Sequence, residues 1–493
     1  MIGSYLHPKS STEGLSAKKA LWVGVFTNLF GLFFRMSRLV FFVFLPRLLS
    51  VEALGTYFLV NGFVEVVNGF SCLGLEHGSM RWIRSLLSKG HVGSVRAHLR
   101  RILLLAFFLS GLVTLAIVFA APAISSMLTK DASLAGIVRL FAFRLPVLAV
   151  TTVALSASRA KINMSVENFV KAIYEPVALT VLGLSMVYAI PDLRTLAWVQ
   201  VGVDSVGMIV TLYLVFSSLP KGDERPVPID WGFLSKNSVF IGLPASLNFL
   251  KSKIDLFLVG RLLDLRLVGI YGVCLELANS IKKIRYLFDP VVTPLAQKLA
   301  EEGKHEELQE TVERVVTWIL VPTFLAAGSL MVAPGFFLSW FGPSFDHGAS
   351  VLMILMVGQI FYAGLGISEM VFAAVGRLLA LVVKAIGLIA LTVVLTIPLV
   401  QFDSIRGAAL ANSAALIVVN VIRYRYALTF LGIRFLTRNH MILSGLFLLG
   451  LAAAALLPQT SAWIHMPIFR VGAFLLVFSV TATFAKRRGV LQL

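Results

Sequence analysis

The sequence is poor in charged residues and in cysteine. Charged residues fill 14% of its 493 positions, whereas about 25% is typical of soluble domains. The two cysteines, Cys72 and Cys274, lie in separate apolar segments and form no CxxC pair, so neither a disulfide framework nor a metal or redox site is predicted. A Gly-x4-Gly-Lys-Ser/Thr loop is also missing, which argues against ATP hydrolysis by this chain.

Apolar side chains, by contrast, are in large excess. They make up 58% of the sequence and the mean hydropathy is +0.88, whereas about 45–50% apolar residues is usual in soluble proteins. A soluble fold has too little interior to bury so many of them. The composition therefore predicts an all-α polytopic membrane protein. It excludes a disordered chain and, despite the net charge of +18, a nucleic-acid-binding module.

Fourteen segments are long and apolar enough to cross a bilayer, which takes about 20 residues each. They are 21–45, 54–75, 102–120, 134–156, 169–190, 196–219, 239–259, 268–295, 315–340, 351–375, 378–400, 408–427, 441–457 and 468–484. We expect five regions: a cytoplasmic segment (1–20), a first six-helix lobe (21–220), a linker (221–233), a second six-helix lobe (234–430), and a terminal helix pair with a short cytoplasmic tail (431–493).

The distribution of basic residues predicts the orientation. An even number of spans places both termini on one side of the membrane. If that side is the cytoplasm, 26 Lys and Arg lie in inner segments and 7 in outer loops. Because basic residues concentrate in cytoplasmic loops, both termini are predicted to be cytoplasmic.

Ten basic residues fall inside the predicted spans, where the positive-inside rule does not account for them. They are Arg35, Arg38, Arg139, Arg144, Lys251, Lys253, Lys282, Lys283, Arg285 and Lys384. Seven acidic residues accompany them: Glu65, Glu175, Asp204, Asp255, Glu276, Asp289 and Glu369. An ionised side chain at the bilayer centre costs at least about 2.5–3.5 kcal/mol, so such residues usually face one another or a polar interior.

The chain contains an internal repeat. Arg47-Leu48-Leu49 followed by Gly55-x-Tyr57 recurs as Arg261-Leu262-Leu263 followed by Gly269-x-Tyr271. Ala121-Pro122 matches Ala333-Pro334, and charged amphipathic helices are expected at 80–101 and 297–314. Six spans separate equivalent points, so the halves form a parallel repeat, an arrangement that commonly encloses a substrate site near the bilayer midplane.

These motifs, together with the run from Ser71 to Gly78 and the Ile254-Asp255 pair, resemble bacterial polysaccharide transporters. That family, which includes O-antigen flippases, belongs to the multidrug, oligosaccharidyl-lipid and polysaccharide (MOP) exporter superfamily. The resemblance covers about residues 20–430. It implies a protein of the bacterial inner membrane that flips an undecaprenyl-diphosphate-linked glycan for cell-surface or extracellular polysaccharide synthesis. Its partners would be that substrate, membrane lipids and other polysaccharide-assembly proteins, with no nucleic acid.

A cationic cavity would suit such a cargo, because Arg and Lys both bind phosphate. The predicted diphosphate and cavity residues are Arg35, Arg38, Arg139, Arg144, Lys251, Lys253, Lys282 and Arg285. Spacing of four residues allows helical ion pairs. We expect Lys171–Glu175 to be one, and Lys251–Asp255 and Arg285–Asp289 are the other candidates.

The sequence indicates less about energy coupling and gating than about the charged cavity. No cofactor or metal is predicted. Carboxylates available for coupling to a proton or sodium gradient, or for charge pairing, are Glu65, Asp204, Asp255, Glu276 and Asp289. Pro244 precedes the Lys251 cluster and is the predicted hinge, because proline kinks helices.

Four other functions remain open at this stage. A lipid II flippase is close in mechanism but differs in cargo, and the sequence does not exclude it. A cation-coupled multidrug antiporter of the same superfamily would require carboxylates in a mostly apolar cavity, whereas the first span carries two arginines and no acid. A membrane-embedded polysaccharide polymerase or other enzyme would need a larger outer loop than this chain has. A non-transporting subunit of a secretion complex is not distinguished by sequence.

Overall fold

The computed structural model describes residues 34, 37–130, 132–161, 165–219, 227–374, 378–456 and 467–487. These residues form helices and no strand, as the composition predicts. The helices of the first half are α1 (Ser37–Leu48), α2 (Val51–Ser71), α3 (Leu75–Ser88), α4 (Ser94–Leu128), α5 (Ala135–Ala142), α6 (Arg144–Ala160), α7 (Glu175–Ala189) and α8 (Leu193–Ser218). A π-helical stretch, Asn168–Tyr174, leads into α7.

The second half and the terminal pair are also helical. Their helices are α9 (Trp231–Lys251), α10 (Ile254–Leu262), α11 (Leu265–Tyr286), α12 (Asp289–Glu301), α13 (His305–Val332), α14 (Pro334–Ser339), α15 (Ala349–Leu365), α16 (Ser368–Ala374), α17 (Leu378–Leu431), α18 (Arg438–Ala455) and α19 (Pro467–Arg487). The backbone leaves helical φ and ψ values within α17 at Asp403 and Ser404, so this element comprises two helices joined at a kink.

Within the described residues, nine helices are long and apolar enough to cross a membrane, or ten if α2 and α3, bent by 41°, form one broken span. Each of the fourteen predicted segments falls on one or more helices over its described part. The predicted segment 1–20 and Arg35 lie outside the described residues, as do residues 221–226 of the linker 221–233, within which α9 begins at Trp231.

Two predicted amphipathic helices are each broken by a turn. Residues 80–101 span the end of α3, a turn and the start of α4, and residues 297–314 likewise span α12, a turn and α13. The turns contain Gly90 at φ 78° and Gly303 at φ 69°. Because the left-handed backbone conformation favours glycine, a continuous helix is excluded at both places. The glycines stand 213 positions apart, close to the spacing of the other repeat motifs.

The repeated Gly-x-Tyr motif lies where the two halves meet. A Cβ atom on Gly55 would stand 2.1 Å from the carbonyl oxygen of Leu265, and one on Gly269 would stand 2.3 Å from that of Val51. Helices α2 and α11 therefore approach each other backbone to backbone. Tyr57 and Tyr271 are both fully buried beside this crossing.

A second close contact joins the halves beyond the other end of α2, where the turn before α3 meets α9. A Cβ atom on Gly74, which precedes α3 at φ 74°, would stand 2.2 Å from the carbonyl oxygen of Ser238 in α9. A Cβ atom on Gly242 would likewise stand 2.4 Å from the Cα atom of Gly74. Arg81 of α3 also donates to the amide oxygen of Asn237 in α9 at 2.9 Å. The two contacts leave the middle of the interface free to enclose a cavity.

The terminal helix pair packs on α13. Phe324 of α13 stacks on Phe447 of α18 with ring centroids 4.5 Å apart. The ring of Phe474 in α19 lies against Gly328, where a Cβ atom would stand 2.1 Å from it. The pair therefore covers one face of the second half, away from the interface between the halves.

We expect Gly55→Ala to lower the free energy of unfolding by about 1–3 kcal/mol, because a methyl group would overpack the α2–α11 crossing. Gly111→Ala is the matched control, since nothing lies within 4 Å of the position of its Cβ. The measurement is the thermal midpoint of the purified protein in detergent. Equal midpoints for the two variants would contradict the close crossing.

Candidate functional site: a cationic cavity between the halves

A cavity of about 620 Å³ lies between the two close contacts. Helices α1 and α2 of the first half and α9, α11, α16 and α17 of the second supply its walls. Among the described residues, eight basic and three acidic side chains line it: Arg38, Lys251, Lys253, Lys282, Lys283, Arg285, Lys384 and Arg423, with Glu65, Glu276 and Glu369. This described lining therefore carries five more positive than negative groups.

The first-half wall is organised around Glu65 of α2. Its carboxylate lies 3.7 Å from the Arg38 guanidinium and 3.2 Å from the Lys253 ammonium. The Asn61 amide donates to it at 2.9 Å. Because Lys253 belongs to the second half, the Glu65–Lys253 ion pair crosses the cavity and links the two halves.

The second-half wall is organised around Glu369 of α16. Arg285 and Arg423 each lie 3.0 Å from its carboxylate, and Lys251 lies 3.7 Å away. The Tyr362 hydroxyl donates to it at 3.1 Å. One carboxylate thus contacts three cations, so this cluster of four side chains has a net positive charge. Arg285 and Arg423 are only 2% and 3% exposed, which strengthens their electrostatic interactions.

A helix break explains how Lys251 and Lys253 both reach the cavity. Helix α9 ends at Lys251 and α10 begins at Ile254. The predicted Lys251–Asp255 pair assumed a continuous helix and is wrong, since Lys251 pairs with Glu369. Asp255 instead accepts hydrogen bonds at 2.7 Å from the Tyr271 hydroxyl and from the Asn412 amide.

The predicted Arg285–Asp289 pair stays a prediction. Helix α11 ends at Tyr286 and α12 begins at Asp289, so the two residues do not share one helix. Arg285 pairs with Glu369 and also donates to the Tyr362 hydroxyl. The Asp289 side chain lies outside the described residues.

The remaining groups on α11 complete the cavity floor. The Lys282 ammonium lies 5.1 Å from the ring centroid of Tyr362 and 5.8 Å from that of Tyr286, within the range of cation–π attraction. Glu276 and Asn279 line the cavity from the same helix. Pro244 also lines it, inside α9, and its role as a hinge stays a prediction.

A second cavity of about 430 Å³ extends into the first half, and Arg38 and Glu65 line both. Its buried Arg144 donates to Asp204 at 2.7 Å and to the Asn61 amide oxygen at 2.6 Å. Arg144 and Asp204 therefore meet each other, and Arg144 is absent from the lining of the main cavity. The predicted Lys171–Glu175 pair is confirmed at 2.5 Å.

Arg139 lies apart from both cavities. Its side chain donates to the carbonyl oxygen of Val118 at 3.2 Å, and it lines neither of them. The structure thus brings together Arg38, Lys251, Lys253, Lys282 and Arg285 from the predicted set, together with Glu65 and Glu276.

Sequence reasoning misses four charged residues of the cavity lining, namely Lys283, Glu369, Lys384 and Arg423. Arg423 is counted as cytoplasmic in the predicted topology, although it falls inside the predicted span 408–427. Its position inside a span is the feature of the sequence that could have identified it as a site residue. Glu369 stands out in the sequence as an acidic residue within a span, but no pattern assigns it to the site. Lys384, whose ammonium lies 3.8 Å from the ring centroid of Phe372, also lines the cavity.

Comparisons with known proteins agree with this architecture. A family model described as "Polysaccharide biosynthesis protein" matches residues 44–347. No curated protein is a significant sequence match to the chain.

Several solved structures share the fold. An inward-facing multidrug resistance MATE family transporter of the MOP superfamily matches with a TM-score of 0.70 and 15% identity, over 81% of this chain and 94% of that one. The lipid II flippase MurJ, in an inward closed conformation, matches with a TM-score of 0.67 and 13% identity, over 95% of this chain and 99% of that one. An outward-facing MATE transporter matches with a TM-score of 0.62 and 14% identity, over 85% and 96%.

The family model covers more than half of the sequence, and the fold matches span most of each chain. The expected family and the expected fold are confirmed. This chain belongs to the polysaccharide biosynthesis protein family and has the fold of the MOP-superfamily transporters.

Proposed function

We propose that the protein is a flippase that moves a polyprenyl-diphosphate-linked oligosaccharide from the cytoplasmic to the outer leaflet, for cell-surface or extracellular polysaccharide synthesis. The observation that carries the proposal is the surplus of five positive groups in the cavity between the halves. A buried cationic surplus is costly in a membrane and is stabilised by an anionic ligand. The diphosphate of the carrier lipid supplies that charge.

The ligand would meet cations from both halves. Arg38 belongs to the first half, and Lys253 faces it across Glu65. Lys251 and Arg285 stand at the second-half wall beside Glu369. Arginine offers phosphate bidentate hydrogen bonds, and lysine acts as a mobile point charge.

The two carboxylates act as internal counter-anions in this scheme. Glu65 and Glu369 hold the cations in place while the cavity lacks cargo. An arriving diphosphate carries more charge than either carboxylate and competes for the same donors. Its binding weakens the Glu65–Lys253 link between the halves, which favours their separation and hence alternating access.

The rest of the cargo has a place in the same scheme. Asn248, Ser252 and Asn279 line the cavity and offer hydrogen bonds to sugar hydroxyls. The polyprenyl tail stays in the lipid. The protein would lie in the bacterial inner membrane with both termini in the cytoplasm, alongside other polysaccharide-assembly proteins.

Coupling to a proton or sodium gradient is part of the proposal. Asp255 is 1% exposed, and its Oδ1 atom has no hydrogen-bond partner among the described residues. Asp204 is bound to Arg144, whereas Glu65 and Glu276 face the cavity. Asp255 accepts hydrogen bonds from two neutral groups, Tyr271 and Asn412, whereas Asp204 and Glu65 are paired with cations.

A cation-coupled multidrug antiporter is the nearest alternative, because MATE transporters share the fold. A cationic drug would enter a cavity in which basic side chains outnumber acidic ones by eight to three. That charge balance disfavours it. A polymerase or a secretion subunit requires neither this cavity nor its charge.

We expect the double variant Arg38→Ala/Lys253→Ala to reduce translocation of lipid-linked oligosaccharide in proteoliposomes to the protein-free level, because it removes one cation from each half. Arg139→Ala is the matched control, since Arg139 lies apart from the cavities. The assay measures the rate at which a membrane-impermeant reagent, added outside the proteoliposomes, reacts with labelled glycan that has been moved to the outer leaflet. Undiminished translocation by the double variant would contradict the proposal.

We expect Glu369→Gln to tighten binding of inorganic pyrophosphate by about tenfold, because the neutral amide no longer competes for three cations. The measurement is the rise in thermal midpoint with pyrophosphate concentration, compared with wild type. Glu306→Gln, at an exposed position on α13, is the control. Weaker binding by Glu369→Gln would show that the carboxylate does not act as a counter-anion.

A further inference from the structure

An open groove lies on the outer face of the first half, far from the central cavity. It has a volume of about 740 Å³ and is lined by α4, α6 and α8. Arg96 and Arg100 stand at one end, and Phe107, Met208, Leu212 and Phe216 line the rest. The groove is therefore basic at one end and apolar along its length.

The two arginines are placed for an external ligand. They are four positions apart on α4, so they share one face of the helix. Within the described part of the chain, no carboxylate lies within 4 Å of either one. The Arg96 guanidinium lies 5.6 Å from the ring centroid of Phe216, which orients it at the mouth of the groove.

The internal repeat allows this face of α4 to be compared with the equivalent face in the second half. Helix α13 is the repeat counterpart of α4, and 213 positions separate the preceding turn glycines, Gly90 and Gly303. By that spacing Arg96 corresponds to Gln309, which exchanges two hydrogen bonds with the backbone of Arg434 at 2.7 and 2.8 Å.

The correspondence continues along the helix. Leu104 corresponds to Thr317, which is hydrogen-bonded to His440 of α18 at 2.9 Å. The terminal helix pair thus covers this face in the second half, whereas Leu104 in the first half is 63% exposed. The two halves also differ in sequence at this face. Arg96 of the first half stands where the second half has Gln309, which binds the segment that leads into the covering helix pair.

We propose that this groove is a binding site for an anionic phospholipid of the bilayer. The phosphate lies between Arg96 and Arg100, and an acyl chain follows Phe107, Met208 and Leu212. Charge complementarity selects this occupant: guanidinium groups bind phosphate with paired hydrogen bonds, and basic pockets between membrane helices bind acidic headgroups. A partner helix would not require two uncompensated arginines at the groove mouth.

The test counts lipids that remain bound to the full-length protein in native mass spectrometry. We expect dioleoyl phosphatidylglycerol to bind about tenfold more tightly than dioleoyl phosphatidylcholine, and Arg96→Ala/Arg100→Ala to abolish that preference. Arg434→Ala/Arg438→Ala, which removes two exposed arginines of the second half, should retain it. If the Ala variant folds poorly, Arg96→Lys/Arg100→Lys keeps the charge and should retain part of the preference.

A second variant tests the apolar part of the groove. Leu212→Trp keeps both arginines but fills the space assigned to the acyl chain, so it should lower phosphatidylglycerol binding. Equal binding of the two lipids by wild type, or equal loss in the Arg434/Arg438 control, would overturn the proposal. So would displacement of phosphatidylglycerol by undecaprenyl phosphate, since the groove would then serve the cargo lipid, or photo-crosslinking from position 104 to another protein instead of lipid.

Discussion

The uneven ratio of cations to carboxylates at the interface between the halves is the constraint on which the rest of the structure depends. Ion pairs buried in a medium of low dielectric are costly unless they are compensated, and here Glu65 and Glu369 each serve more than one cation. The pairs maintain a folded cavity without neutralising it. We propose that the residual positive charge makes the site selective for anions and that the shared carboxylates leave its cations available for exchange with a ligand.

The repeated architecture explains why the charges meet at this place. Glycines at equivalent positions of α2 and α11 bring the halves into backbone contact on one side of the cavity, and Gly74 and Gly242 do so on the other. Between these contacts, the break after Lys251 turns a pair of lysines toward Glu65 and Glu369. The close contacts and the broken helix therefore serve one purpose: they hold opposed charged walls at a short distance. Over the part of the chain that the structure describes, a covering helix pair lies on the second half alone, so the repeat is symmetric at its centre and asymmetric at its periphery.

Much of this arrangement could be predicted from the sequence. Hydropathy predicted fourteen spans, and nine or ten helices of the described residues are long and apolar enough to cross a membrane. The Gly-x-Tyr repeat predicted the two halves, and the unexplained charges included Arg38, Lys251, Lys253, Lys282 and Arg285. Their partners could not be predicted, because pairing at a spacing of four residues assumes an unbroken helix. The break at Ser252 directs Lys251 to Glu369, and Arg285 pairs with the same carboxylate, which lies 84 positions away in the sequence. Such distant pairs depend on how helices pack, and a single sequence does not encode that distance in any local pattern.

The central claim, that the cavity is selective for a diphosphate, is tested most directly by isothermal titration calorimetry on the purified protein. The ligands are inorganic pyrophosphate and tetraphenylphosphonium, a lipophilic cation. A cationic cavity predicts one site per chain for pyrophosphate, weakened by salt because the attraction is electrostatic, and no saturable binding of the cation. Saturable binding of tetraphenylphosphonium in the absence of pyrophosphate binding would contradict the account and favour a drug antiporter.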